Sequence, residues 1–317
     1  MTSQAQHTGQ MPRDVYFIVL PQTLALDITG PAETLRLAGQ YQLHYISPQP
    51  QVVVSTGLTL AALQPLPSHM APGSIIVIPG VIDSASGFAS QQGLLVRSWL
   101  RQQKALLEQG LLTLACICSG SLLAGLAGLL DGYQCTTHHN VIARLRQQVP
   151  LARVQENRIF VQDRQILTSA GITAGIDLAL YMIANDSSEQ NALSVAQEMV
   201  VYFRRTGNDP QLSPWLRYRN HLNPALHRAQ DLLAADPESD WPVAHLAQQT
   251  HISGRHLSRL FRQHLGISIH DYHLQLRVAV AQQRLQQGFG IEKAALAAGF
   301  SSARQLRRAQ QREQTNH

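Results

Sequence analysis

The sequence lacks most of the features that would send a chain out of the cell, into a membrane or onto a cofactor. Its first residues, MTSQAQHTGQMPRD, hold no basic stretch followed by an apolar run, so no secretory signal is expected and the protein is expected in the cytoplasm. Cysteine is scarce: Cys116, Cys118 and Cys135 are the whole complement. An odd number without a signal argues for reduced thiols rather than a disulfide framework. Cys116 and Cys118 have no second pair at metal-ligand spacing, so a strand with two small apolar side chains is expected there and no metal. No dinucleotide or P-loop fingerprint occurs, and no cofactor is expected. Charged residues make up only 14% of the chain against 44% hydrophobic, which excludes a disordered protein and predicts sizeable cores.

One apolar run does reach membrane length. Residues 111–130 carry no charge, and a span needs about 20 such residues. The glycines at 120, 125 and 128, and the want of basic or aromatic anchors close by, oppose that reading. No membrane partner is expected.

What is present divides unevenly along the chain. The 317 residues leave room for two domains of the usual roughly 100–200 residues, and the Pro-rich stretch GNDPQLSP offers a boundary. Residues 1–211 hold 12 Lys and Arg against 13 Asp and Glu, whereas residues 212–317 hold 13 against 7. All the excess positive charge lies in the last third, which is therefore expected to meet a polyanion.

In the first part, short β-branched runs alternate with helical patterns. DVYFIVLP (14–21), LHYISP (43–48), SIIVIPG (74–80) and LTLACICSG (112–120) read as strands; PAETLRLAGQY (31–41) and LLVRSWLRQQKALLEQG (94–110) read as helices. The pattern predicts α/β architecture with a parallel sheet covered on both sides. The apolar run becomes a strand over 112–117, a turn at Cys118-Ser119-Gly120 and a helix over 121–130. Cys118 then lies at the carboxyl end of a parallel strand, where open α/β sheets bind ligands. The helix dipole predicts a lowered thiol pKa, as in a nucleophile elbow.

At these residues the chain resembles a family. ACICSGSLLAGLAGLLDGYQCTTHH, with ALDITGPAETLRLAG (25–39) and LTSAGITAGIDLALYMI (167–183), resembles the PfpI-like, class I glutamine amidotransferase-like superfamily, and more closely the GlxA-type regulators. The resemblance implies a flavodoxin-like domain over 12–205 that senses a small molecule, an amino acid or other nitrogenous metabolite being the family expectation. It places Asp27 opposite the elbow thiol and His138 near the same crevice, giving an expected effector pocket of Asp27, Cys118, Ser119, His138 and Thr173. Other readings stand beside these: Asp27 as the cap of a helix beginning near Pro31, His138 and His139 as a solvated turn, and Thr173 as a helix cap between Gly171 and Gly175.

Hydrolytic relatives have a histidine where this chain has Ser119, and the His-x-Glu pair of glutamine amidotransferases is missing. A thiol without a base and an orienting acid does not readily attack an amide. No catalytic residue is therefore assigned and the protein is not expected to be an enzyme. The alternative is a Cys118-dependent amidase or hydrolase with a DNA-binding tail, in which His138 substitutes from another loop.

From Pro224 the pattern is helical. VAHLAQQTHISGRHLSRLFRQHLG (243–266) has the layout of a helix-turn-helix: Leu257, Leu260 and Phe261 line one face, while Arg255, His256, Ser258, Arg259 and Arg262 are offered to DNA. After a linking helix over about 269–287, IEKAALAAGFSSARQLRRAQQRE (291–313) repeats it at an offset of 48. This second copy offers Ser302, Arg304, Gln305, Arg307 and Arg308. Two such helices would enter successive major grooves, about 34 Å apart.

The pair, with GFSS and FRQHLGIS, resembles the AraC family DNA-binding domain over 224–313, leaving 206–223 as a linker. That resemblance implies a homodimeric transcriptional regulator on double-stranded promoter DNA, an activator in contact with RNA polymerase. The family continues with a further turn and helix where this sequence has QQREQTNH, so binding is expected to lean on the first recognition helix. The segment Glu189–Arg205 is expected either to form the dimer interface or to pack on its own sheet.

Overall fold

A computed structural model describes residues 12–201, 204–207, 211, 218, 221, 223–286 and 288–315. The chain forms two compact units, Met1–Gln211 and Leu212–His317. The first thus extends past the expected end at 205.

Its strands are β1 (Arg13–Ile18), β2 (Tyr41–Ile46), β3 (Gln51–Val53), β4 (Thr59–Ala61), β5 (Ile75–Ile78), β6 (Thr113–Ile117), β7 (Gln134–Cys135), β8 (Arg153–Val154), β9 (Phe160–Asp163) and β10 (Ile166–Ser169). Its helices are α1 (Ala25–Ala38), α2 (Ser84–Ala89), α3 (Gln91–Gln102), α4 (Lys104–Glu108), α5 (Gly120–Leu126), α6 (Ile142–Gln148), α7 (Ala174–Asp186) and α8 (Glu189–Glu198). Six strands form one sheet in the order β2-β1-β5-β6-β10-β9. The pairs are parallel except β9 with β10.

Alternation along each strand explains the apolar runs. Val15, Phe17, Ile75, Val77, Ala115 and Ile117 face a core shared with α1, α7 and α8. Ile18, Ile76, Ile78, Leu114 and Cys116 face the opposite core, with α3 and α5. Strands buried on both faces need apolar residues at every position, which accounts for the uncharged run through β6, and the burial of residues 120–125 in α5 accounts for its continuation. Among the described residues no helix is long and apolar enough to cross a membrane.

Two sequence expectations are corrected in detail, and a third stands open between two alternatives. α1 starts at Ala25, before Pro31 rather than near it; the proline removes only the bond that would reach the Asp27 carbonyl, and buried Ile28, Ala32 and Leu35 hold the helix through it. α5 stops at Leu126, short of 130, and the chain turns at Gly128 with φ 78°. α8 buries Ala192, Val195 and Ala196 in the core of its own unit, in line with the packing alternative, and Leu193 on α8 and Val200 just after it are exposed.

The second unit holds α9 (Pro224–Ala235), α10 (Val243–Thr250), α11 (Gly254–Leu265), α12 (Ile269–Gln286), α13 (Ile291–Ala297) and α14 (Ala303–Thr315). It has two small cores. Leu226, Leu246, Leu257 and Phe261 gather around Tyr272 and Leu276, and Ala295, Phe300 and Leu306 around Val278 and Ala281. α12 contributes to both. At 1.5 Å per residue its 18 residues span about 27 Å, so each helix-turn-helix folds against its own end of one rod.

Candidate effector crevice and nucleic-acid interface

The turn between β6 and α5 puts Cys118 in the left-handed region, at φ 55°. Such a conformation costs about 1–3 kcal/mol outside glycine and needs its surroundings to hold it. Here the Cys118 N–H donates to the Ser169 carbonyl at 3.1 Å, and its own carbonyl accepts from Thr137 Oγ1 at 2.6 Å. Two glycines let neighbouring loops close over it. A Cβ on Gly171, itself at φ 86°, would lie 2.1 Å from Cys118 Cβ. A Cβ on Gly80 would lie 2.8 Å from Cys118 Cβ, 2.9 Å from Asp27 Oδ2 and 2.9 Å from Ser119 Oγ. These three side chains therefore converge on one point.

Asp27, in the first turn of α1, is fully buried. Its Oδ2 accepts from the Gly80 N–H at 3.0 Å and its Oδ1 from the Ile172 N–H at 2.6 Å. It joins the strand-end loops and does not cap a helix at Pro31. Burial raises its pKa to about 6 although both N–H groups pull it down. Cys118 responds in the same direction: burial, then the Asp27 charge, push the thiol up to about 12. This reverses the lowered pKa expected from the helix dipole. The seven-residue α5 supplies only partial charge, and excluding water from the thiolate outweighs it.

The remaining expected pocket residues separate into one that joins the cluster and two that flank it. Ser119 is buried, accepting from the Val81 N–H at 3.0 Å and donating to the Val81 carbonyl at 3.3 Å. His138 is half-buried, lies against His139 with the rings tilted at 34° and 4.1 Å between centroids, and accepts from the Asn140 N–H at Nδ1. Burial and His139 lower its pKa. Among the described residues no hydrogen bond joins His138 to Cys118. Thr173 occupies the cap position of α7 without making a side-chain cap; its Oγ1 accepts from Arg205 Nη2 at 2.8 Å. Sequence reasoning missed Gly80, Thr137 and Ile172. The strand-end triplets IPG and SAG were the available signal for the first and last. Leu26, Ile82 and Ile172, which lie beside the converging segments in sequence, are exposed.

In the second unit, His251 ends α10 in the left-handed region and Ser253 Oγ caps α11 by accepting from the His256 N–H at 3.2 Å. Leu257, Leu260 and Phe261 turn inward. Arg255, Arg259 and Arg262 are exposed, with His256 and Ser258 half-buried beside them. The second copy follows: Phe300 fills its turn after Gly299, whose φ is 77° and where a Cβ would lie 2.1 Å from the Glu238 carbonyl oxygen. Arg304, Arg307 and Arg308 are exposed on α14. Two expected DNA contacts also serve the helix start. Ser302 Oγ accepts from the Gln305 N–H at 3.3 Å, and Gln305 Oε1 accepts from the Ser301 N–H at 2.7 Å.

Comparison with known proteins agrees with both units. Residues 13–185 match the DJ-1/PfpI family and residues 246–314 a helix-turn-helix domain. The HTH-type transcriptional regulator GbdR of Pseudomonas aeruginosa is 30% identical over 300 residues, covering 92% of this chain and 79% of that protein. Isonitrile hydratase of Pseudomonas putida is 32% identical over 174 residues, covering 54% of this chain and 70% of the enzyme. A crystal structure of an AraC family transcriptional regulator from Pseudomonas putida superposes with a TM-score of 0.51 at 22% identity, over 59% of this chain and 100% of that one, a likeness of fold.

Proposed function

The chain belongs to the DJ-1/PfpI family and to the HTH-type transcriptional regulators that join such a domain to a helix-turn-helix domain, and from this premise we propose how it works. It is a DNA-binding regulator whose first unit, in our reading, senses a small metabolite at the Cys118 crevice. The observation that carries this reading is the pairing of a basic, duplicated helix-turn-helix with a crevice in which the thiol is pushed up to about 12 and, among the described residues, no imidazole bonds it. A thiol so protonated is a poor nucleophile, which supports binding over turnover at the crevice.

Exposed Leu26, Ile82 and Ile172 beside the Asp27 carboxylate support an occupant with an apolar flank, and an amino acid or other nitrogenous metabolite is the occupant we propose. Arg255, Arg259 and Arg262, with Arg304, Arg307 and Arg308, contact promoter DNA. A homodimer in the cytoplasm that activates by contact with RNA polymerase completes the proposal. The domain division that fits it is a sensor from 12, a linker ending at 223 and a DNA-binding domain over 224–313.

A second reading, a Cys118-dependent hydrolase, draws on the likeness of the first unit to an enzyme. One experiment separates them: affinity of the purified chain for the DNA upstream of its own gene against scrambled DNA, at fixed salt, with a metabolite panel. A specific complex shifted by one compound supports the regulator with an effector. Specific binding that no compound alters, together with amide turnover lost in Cys118→Ala, supports the hydrolase.

A further inference from the structure

The first unit does not stop at α8. Among its last described residues, Arg205 and Gln211 are tied to the loops beside the crevice. Arg205 is clamped on Asp177: its Nε and Nη2 donate to Oδ2 at 2.9 and 2.6 Å, and its backbone N–H donates to Oδ1 at 3.0 Å. Nη2 also reaches Thr173 Oγ1. Gly207 lies on Phe160, where a Cβ would be 2.7 Å from the carbonyl oxygen. Gln211 is buried and uses both ends of its amide. Its Nε2 donates to the Thr137 and Arg158 carbonyls at 2.8 and 3.0 Å, and its Oε1 accepts from the His139 N–H at 3.0 Å.

Both outer anchors adjoin the crevice. Thr173 follows Ile172, whose N–H is held by Asp27. Thr137, whose carbonyl Gln211 holds, donates its hydroxyl to the Cys118 carbonyl. A cleft of about 670 Å³ lies under Arg204–Gly207 and is also lined by Phe160, Gln162 and Tyr181. Three pairs of its polar side chains bond one another, Tyr181 with Gln162, Arg205 with Asp177 and Arg204 with Glu189. The cleft leaves open space beside the segment.

We propose that Arg205 and Gln211 form a two-point latch through which the crevice governs the segment leading to the DNA-binding unit. This rests on the crevice being the effector site and concerns how its occupancy is transmitted. An occupant that wedges residues 171–173 from Asp27 draws Thr173 from Arg205, and one that shifts Thr137 strains Gln211. The latched and released forms then differ in affinity for the occupant, which is the condition for coupling.

The test uses hydrogen–deuterium exchange on the full chain with no metabolite. Asp27→Asn leaves the Gly80 and Ile172 N–H groups with one acceptor oxygen between them and touches nothing in 204–211. The segment 204–207, where the Arg205 N–H is held by Asp177, is expected to exchange about tenfold faster or more, as it should in Gln211→Ala, while the β1 and β5 amides keep their protection. Acceleration at 170–174 with none at 204–207 overturns the latch, as does an unprotected Arg205 amide in the wild type. If Asp27→Asn does not fold, Thr173→Val removes the acceptor at an exposed position and should speed 204–207; an unchanged rate there also overturns it. A metabolite panel without a ligand would sink the effector reading and leave these results standing. A bound compound that leaves 204–207 protected would sink the latch alone.

Discussion

A thiol at the positive end of a helix is ordinarily the easier to ionise, yet burial and the neighbouring Asp27 charge push Cys118 up to about 12. Native Cys118 should therefore react with iodoacetamide at neutral pH at least about 100-fold more slowly than a free thiol of pKa near 8.5, and equally fast in denaturant; mass spectrometry of the labelled peptide reads both. Asp27 makes a separate pH prediction. Its folded pKa, about 6, exceeds the unfolded value, so the native state binds the extra proton. Its contribution to stability is then greatest below about pH 4 and declines as pH rises to about 6, by about 3 kcal/mol. Urea melts of wild type and Asp27→Asn across that window should show the difference moving in favour of asparagine with rising pH. A flat difference would mean the carboxyl is not buried. On α11, Arg255→Ala and Arg259→Ala should each weaken specific DNA binding by about 1–3 kcal/mol where the arginine reads a guanine. Operator affinities unmoved by either change would displace the recognition face.

At the scale of elements, the loops matter more than the helices they join. Gly171→Ala adds a Cβ 2.1 Å from Cys118 Cβ at φ 86°, whereas Gly110→Ala meets nothing within 4 Å at φ 73°. The second change should cost about 1 kcal/mol from backbone strain alone, and the first clearly more, as compared by urea denaturation. α11 and α14 were legible because burial recurs at helical spacing and the repeat doubles the signal. The start of α1 was not. A proline normally marks a helix beginning, and only the packing of Ile28, Ala32 and Leu35 carries the helix past it. Gln305 shows the same limit: its sequence position suggests a base contact, and its bonds to Ser301 give it work at the start of α14 that no periodicity reveals.

At the scale of the whole molecule, the charge division has one consequence open to measurement. Because the excess positive charge lies in residues 212–317, DNA affinity should fall steeply with salt, on the order of 10³-fold between 50 and 200 mM if about six phosphates are contacted. A shallow salt slope would remove the phosphate-binding role from that surface. The sequence by itself determined the α/β first unit, the elbow at Cys118 and the duplicated basic helix-turn-helix. Each of these is written in local alternation, spacing or composition, which needs no knowledge of distant contacts. Only the tertiary structure decided that Asp27 reaches Gly80 and Ile172, that the thiol is kept protonated, and that Arg205 and Gln211 pin the connecting segment beside the crevice. Those outcomes depend on groups far apart in the chain brought together away from water, where desolvation and hydrogen bonding across loops outweigh local tendencies.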